Sequence, residues 1–362
     1  MSRILHRTLS APGKLFLAGE YAVLWGGACR VMAVGPRTRA AVCRRDDREV
    51  HLLLEEGRLS GHVTAQGVAW STPPTAPFHF AARTLDAVLR ASGRDALGFS
   101  LALSPSPLVD GLKLGMGSSA RAVVLCAEAA RYVLDARFDA LKLALAAHAL
   151  AQAGKGSGGD VVASAVGGVL RYHRYDVSGL LDAARTRRFD AALLDAPPVG
   201  LLRLPSPKVE MIYAFGGQSA ATTGLITRAE AKLPEEARAD FVRRSDALGD
   251  GFEEGLTQVG RFAVLREACL GLRALLGELG PLESGGLSRI LAIAEAYGCT
   301  GKQSGAGGGD GCILFAPDAE RRDALLEGLS QRGIYARAVQ PEPGLKGESV
   351  HDPQLEGWLD AG

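Results

Sequence analysis

The chain's 362 residues include 41 basic and 40 acidic side chains, a formal net charge of +1, which excludes a strongly basic nucleic-acid binder and an acidic tail protein. Glycine is the outlier, with 46 residues or about 13% against roughly 7% in ordinary chains. Hydrophobic residues still make up 47%, prolines number 17 and no G-X-Y period runs through the chain, so collagen and low-complexity disorder are excluded.

In chain order, short β-branched or apolar runs predict strands over 3–11, 29–34, 38–44, 49–54 and 99–103. Ala120, Val123, Val124, Ala127, Arg131 and Leu134 recur at i, i+3, i+4 spacing and predict a helix over 119–134. A second helical pattern covers 138–153 and stops at Gly154, a natural C-terminal cap. A strand follows over 168–175, and the Pro-containing stretch 196–207 is the expected domain joint. Beyond it come a strand over 209–215, helices over 225–249, 258–279, 285–297 and 318–332, and strands over 312–316 and 334–340. The composition of 342–362 is loop-like and allows partial disorder. An α+β chain of two mixed domains, 1–195 and 205–362, is expected, with room for a sizeable core.

The first residues carry no apolar stretch long enough for a secretory signal, and no run approaches the ~18 residues that span a bilayer. The six cysteines are scattered, without CxxC, which argues for buried thiols over a zinc site or a disulfide framework. A cytoplasmic protein without nucleic-acid or membrane partners is expected, as a monomer or homodimer.

Of the 46 glycines, 22 fall in five windows, 11–27, 111–117, 154–168, 216–224 and 301–311. Such clusters mark special dihedrals or close approach of backbone to a ligand. The second window runs into Gly115-Met116-Gly117-Ser118-Ser119-Ala120 at the start of the predicted helix. Backbone N–H groups at a helix N-terminus form an anion site, and the two glycines keep side chains out of a polyphosphate's way. Ser118 or Ser119 can cap the helix or offer a hydroxyl to phosphate or Mg²⁺. The P-loop pattern is not completed at Gly154-Lys155 or at Gly301-Lys302, and no strand directly precedes Gly115 as a dinucleotide fingerprint requires. Lys14, Lys113, Lys155 and Lys302 lie within or beside glycine windows and are candidate phosphate contacts.

Three motifs in order resemble the GHMP kinases (galactokinase, homoserine kinase, mevalonate kinase, phosphomevalonate kinase). They are Ala11-Pro12-Gly13-Lys14 through Gly19-Glu20-Tyr21, the loop Gly115 to Ala120, and Ser304-Gly305-Ala306-Gly307-Gly308-Gly309-Asp310. The resemblance implies a ribosomal-protein-S5-domain-2-like N-terminal domain with a left-handed βαβ unit, a ferredoxin-like C-terminal domain, and ATP with Mg²⁺ between them. Within the family the chain is most similar to the phosphomevalonate kinase branch. Gly19-Glu20-Tyr21, Gly156-Ser157-Gly158-Gly159-Asp160-Val161, Arg171-Tyr172-His173-Arg174-Tyr175 and Lys302 carry that likeness. Gly159, Arg121 and Ala221 depart from the pattern, standing where Phe, Ala and Ser are usual.

The implied reaction is phosphorylation of (R)-5-phosphomevalonate, a small-molecule acceptor. Moving a phosphoryl group onto an anion requires positioned cations. The resemblance places Lys14 and Asp160 in catalysis. It also implies Lys113 and Gly115–Ala120 on ATP, and a hydroxyl of Ser119 on the metal. Glu20, Tyr21, Ser157, Gly158, Ser219, Lys302, Ser304, Gly305, Ala306 and Gly307 are expected, with Lys14, around the acceptor. Asp310 is expected to pin its loop rather than react. Mevalonate kinase, a decarboxylase of the same superfamily and a catalytically silent nucleotide-binding relative are the alternatives. The presence of Lys14, Ser118, Ser119, Asp160 and Asp310 speaks against the last.

Overall fold

A computed structural model describes residues 6–92, 97–108, 111, 114–154, 156–185, 189–217, 222–308, 311–350 and 352–360. Two long antiparallel strands, β1 (His6–Ala18) and β2 (Ala28–Arg44), form the base of the first sheet. The strands expected at 29–34 and 38–44 are one. Pro36 lacks an N–H and marks a boundary in the sequence, but here it sits where the β1 register shifts between Ala11 and Gly13, an irregularity that needs no donor.

β3 (Glu49–Leu54), β4 (Gly57–Thr64) and β5 (Gly67–Trp70) form a meander, the last two unannounced by the sequence pattern. α1 (His79–Ser92) then leads to β6 (Phe99–Leu103), which lies between β2 and β3 and runs parallel to β3. α2 (Ser118–Val133), α3 (Ala140–Ala151) and α4 (Gly159–Val166) pack together, α2 and α4 also lying on β1 and β2. β7 (Val169–His173) takes the other end of β2. Two short helices, α5 (Ser178–Arg185) and α6 (Phe189–Asp195), follow, and β8 (Leu201–Arg203) then pairs with β7.

The second sheet is antiparallel, in the order β10-β11-β9-β12, from β9 (Glu210–Phe215), β10 (Thr300–Gln303), β11 (Gly311–Ala316) and β12 (Ala336–Ala338). Between β9 and β10 lie α7 (Thr222–Lys232), α8 (Glu235–Thr257), α9 (Phe262–Gly277) and α10 (Gly285–Ala296). With α11 (Ala319–Ser330) between β11 and β12, the order is the expected ferredoxin-like one. The single helix expected over 225–249 is two, because Pro234 N-caps α8 and cannot continue α7.

The stretch after 342 returns to the first sheet. β13 (Lys346–Gly347) pairs with β1, and α12 (Pro353–Asp360) lays Leu355, Trp358 and Leu359 against Ala41, Leu53 and Ala102. Arg37 secures the approach, donating to Pro343 O at 2.7 Å and Gly344 O at 2.6 Å.

One apolar cluster joins the sheets: Leu15, Leu17, Met32, Leu114 and Met116 pack with Tyr213, Phe252, Leu265 and Phe315. Beside it, Arg30, 1% exposed, donates through Nε to Glu253 at 2.7 Å, and Arg171 donates to the same carboxylate at 2.6 Å, tying β2 and β7 to α8. Burial raises the Glu253 pKa, but the two guanidinium groups outweigh it and hold the carboxyl below its usual range.

Candidate active site

The Gly115–Ala120 loop is fixed from below. Leu114 and Met116 are each 5% exposed within the cluster between the sheets, and Tyr213 donates its hydroxyl to Leu114 O at 2.8 Å. Met116 therefore acts through burial, worth roughly 1.5–3 kcal/mol for such a side chain, and through its carbonyl, which accepts the Lys14 N–H at 3.1 Å. Gly115 (φ 64) and Gly117 (φ 79) supply left-handed turns, which side chains with a Cβ adopt at a cost. Gly117 N-caps α2 with no side-chain bond, so neither serine caps the helix. The N–H groups of Ser118, Ser119 and Ala120 open the first turn, where no carbonyl one turn back can receive them, and the dipole favours an anion there.

β1 alternates around Lys14. Leu15 and Leu17 face the inter-sheet core, while Lys14 and Phe16 share the opposite, half-open face. The Lys14 ammonium lies 5.5 Å from the Phe16 ring centroid. Its stem passes Gly117 so closely that an ideal Cβ there would sit 3.1 Å from Lys14 Cγ.

The first motif holds the third. Glu20 accepts from the Lys302 ammonium, whose second partner is Gln303 O at 2.6 Å, and Lys302 is fully buried. Tyr21 donates to Ala306 O at 2.8 Å, with burial, and secondarily Glu20, raising its phenol pKa. Ser304 Oγ accepts from Phe16 N and donates to Phe16 O, both at 2.9 Å, stitching the loop to β1. Gly307 is buried, and a Cβ there would meet Leu282 O at 2.4 Å.

Residues 171–175 support the 154–158 loop. Tyr172 donates to Ser157 O at 3.0 Å and Arg174 to Gly154 O at 2.9 Å. Gly159 has no space for the family's usual Phe: its ideal Cβ would lie 3.0 Å from Phe16 Cζ, so the Phe16 ring already occupies that direction. Asp160, in the first turn of α4, lies 3.8 Å from His148 Nε2. His148 is 3% exposed, within 3.3 Å of Ser119 Oγ and 3.4 Å of Gln152 Nε2. His148 is not among the site residues expected from the sequence. A histidine inside the Ala- and Leu-rich face of α3 was the available signal.

These elements enclose a cavity of about 310 Å³. Of the expected residues, Lys14, Glu20, Tyr21, Gly115, Gly117, Ser118, Ser119, Ser157, Asp160, Gly305 and Ala306 line it. Phe16, Leu24, Gln152, Gly156 and Ile226 join them unanticipated. Ala120 is buried in the N-terminal core, Gly158 lines a neighbouring small pocket, and Met116, Lys302, Ser304 and Gly307 stand behind the wall as supports. Lys302 is the clearest departure from expectation, its charge being closed within the protein by Glu20. Lys113, Lys155, Ser219, Ala221 and Asp310 lie outside the described residues. Among the described residues, no helix is long and apolar enough to cross a membrane, all six cysteines are free thiols, and no cluster of three or more His, Cys, Asp or Glu is placed to hold a metal.

Comparison with known proteins gives the family. Residues 79–168 match the GHMP kinases N terminal domain, and residues 259–334 match GHMP kinases C terminal. A phosphomevalonate kinase from Streptomyces sp. (strain CL190) is 31% identical over 343 residues, covering 86% of this chain and 89% of that protein. The chain belongs to the GHMP kinase family. A mevalonate kinase from Aeropyrum pernix is 29% identical over 334 residues, with 90% of each chain covered. The structure of Streptococcus pneumoniae phosphomevalonate kinase in complex with phosphomevalonate and AMPPNP superposes with a TM-score of 0.76 at 21% identity, covering 91% of this chain and 99% of that one. The α+β architecture is thus the GHMP kinase fold, and the chain is a phosphotransferase of a family whose phosphoryl donor is ATP.

Proposed function

We propose that this GHMP kinase transfers the γ-phosphoryl group of ATP to the phosphate of (R)-5-phosphomevalonate, giving 5-diphosphomevalonate on the mevalonate route to isoprenoids. One observation carries the reading: Lys14 and Asp160 share a cavity with the open N-terminus of α2, so a donor phosphate and an anionic acceptor can meet at one ammonium. The two units, 1–195 and 205–362, contribute the loop and its closure respectively. The 31% identity to a phosphomevalonate kinase supports the acceptor, as does the Gly19-Glu20-Tyr21 motif.

The N–H groups of Ser118, Ser119 and Ala120 bind the donor phosphates, with Gly115 and Gly117 clearing the approach. A second cavity of about 310 Å³ shares Ser118 and Ser119 and is lined by Leu54, Phe80 and Pro105, which suits a nucleoside. Mg²⁺ fits the donor set, since Ser119 Oγ lines the main cavity and Mg²⁺ keeps mostly phosphate and water oxygens. When bound it supplies neutralisation of phosphate charge. Lys14 bridges the attacking oxygen and the transferred group, offsetting the repulsion of two anions. A phosphate acceptor is already ionised near neutral pH, so Asp160 orients Lys14 and the acceptor and need not remove a proton. Gly305, Ala306 and Ser157 close around the acceptor.

The test is ADP release with phosphomevalonate, mevalonate, homoserine and galactose in parallel. Turnover of phosphomevalonate is expected. Turnover of mevalonate alone would favour the second reading, a mevalonate kinase, to which the 29% identity gives its support.

A further inference from the structure

Arg121 stands in the first turn of α2, directly behind the phosphate loop, and is 3% exposed. Its Nη1 donates to Pro36 O at 3.1 Å, and its Nε has no partner among the described residues. Among the described residues no carboxylate forms an ion pair with it. A buried guanidinium without a counter-charge is costly, and a cation in a helix's first turn opposes the dipole. Space has nevertheless been made for it. An ideal Cβ on Gly13 would lie 3.1 Å from Arg121 Nη1 and 2.9 Å from Met116 O. With Pro36 and Met116, the guanidinium borders a cavity of about 20 Å³ that shares Gly115 and Ser118 with the main one.

We propose that Arg121 is a positioning residue for the nucleotide, its buried charge offset by the polyphosphate held on Gly115–Ser119 across the thickness of the loop. The inference rests on the reading that ATP phosphates occupy that loop. The empty protein carries the unfavourable charge, and the loaded protein is relieved of it. Selectivity for ATP over AMP follows, because the attraction scales with the phosphate charge on the loop.

The experiment is calorimetric titration with ATP and AMP, together with thermal melts with and without ADP, on the wild type, Arg121→Gln and Arg121→Lys. Gln retains a donor for Pro36 O without the charge, and Lys retains the charge. Arg121→Gln is expected to weaken ATP by about tenfold and AMP by less than about threefold, the charged partner being the stronger one. Its melting temperature without nucleotide stays level or rises, its ADP-induced shift shrinks, and Lys recovers most of the ATP affinity. ATP affinity within twofold of wild type in Arg121→Gln would overturn the inference. Equal losses for ATP and AMP would do the same. So would a Gln variant that melts lower or fails to fold without nucleotide, the mark of a purely structural arginine. Wild-type protein that does not bind ATP would overturn the functional reading first, and so the two failures are distinguishable.

Discussion

Replacing Lys302 with Met tests whether the first and third motifs are held together by a buried ion pair. Lys302 is fully buried and the Glu20 side chain is 3% exposed. The second carboxylate oxygen of Glu20 already lacks a partner among the described residues, so Lys302→Met strands the whole carboxylate in the interior. Removing one member of such a pair costs roughly 3–5 kcal/mol. At about 2–4 °C per kcal/mol for units of this size, the melting temperature should fall by roughly 6–20 °C. Removing both charges, as Glu20→Leu with Lys302→Met, should restore most of that loss, because matched apolar replacements of buried pairs are often near neutral. Urea unfolding of the wild type, both singles and the double variant closes the cycle. Because β10 leads directly into Ser304, the Lys302→Met enzyme should also show a raised acceptor KM. A loss below about 1 kcal/mol would refute the reasoning, since the carboxylate would then be reaching water or a proton.

Three further outcomes are expected. Tyr21→Phe keeps the ring but removes the bond to Ala306 O, worth about 1 kcal/mol; acceptor KM should rise about fivefold with kcat within threefold, and the reverse split would show that the hydroxyl acts in the chemical step. Lys14→Met and Asp160→Asn, assayed at saturating substrates, should each lower kcat by about a hundredfold or more, the scale of removing one transition-state electrostatic contact; activity within threefold would remove them from the mechanism. Glu253 has its folded-state pKa held below the usual 4.5, so the stability it contributes is present above that value and is lost as pH falls through the lowered one. Glu253→Gln should therefore flatten the acid limb of melting temperature against pH below about 4.5, and an unchanged limb would mean other carboxylates control it.

The loop before α2 was legible because its signals are local: glycines, paired serines and an apolar 3.6-residue period adjoin in sequence. The elements of the second half were legible from their local patterns, apart from β10, whose Gly301 and Lys302 give no apolar run, while their ferredoxin-like order was implied by the family resemblance alone. What could not be read depended on contacts between distant segments. Pro36 marks a break in the sequence but lies within a continuous β2, in an irregularity where β2 places three residues against one of β1. Pro234 was passed over inside a helical period, although its missing N–H was decisive. The stretch after 342 owes its order to Arg37 and to the sheet face beneath Leu355, neither visible locally. Arg121 stood out as a departure from the family pattern, but its burial and its lack of an ion-pair partner among the described residues emerged only from packing.

Lys14 and Lys302 show how similar sequence signals part company in three dimensions. Both sit beside glycine windows and both were candidates to meet phosphate. Lys302 lies on a strand whose four residues are all buried, and an ammonium there requires a carboxylate, which Glu20 supplies. Lys14 lies on the half-open face of β1, with its stem against Gly117 and its head over the Phe16 ring. Among the described residues lining the cavity, it carries the only cationic side chain. The division has a mechanical consequence. Gly117 has a φ of 79, and an ideal Cβ there would crowd the Lys14 stem, so the loop before α2 and the Lys14 ammonium are positioned by one contact. Ser304 clamps the Phe16 backbone, two residues along the same strand. Any shift of β1 at this point moves the loop before α2, the Lys14 ammonium and the loop after β10 together, so the geometry proposed for the reaction depends on a single strand.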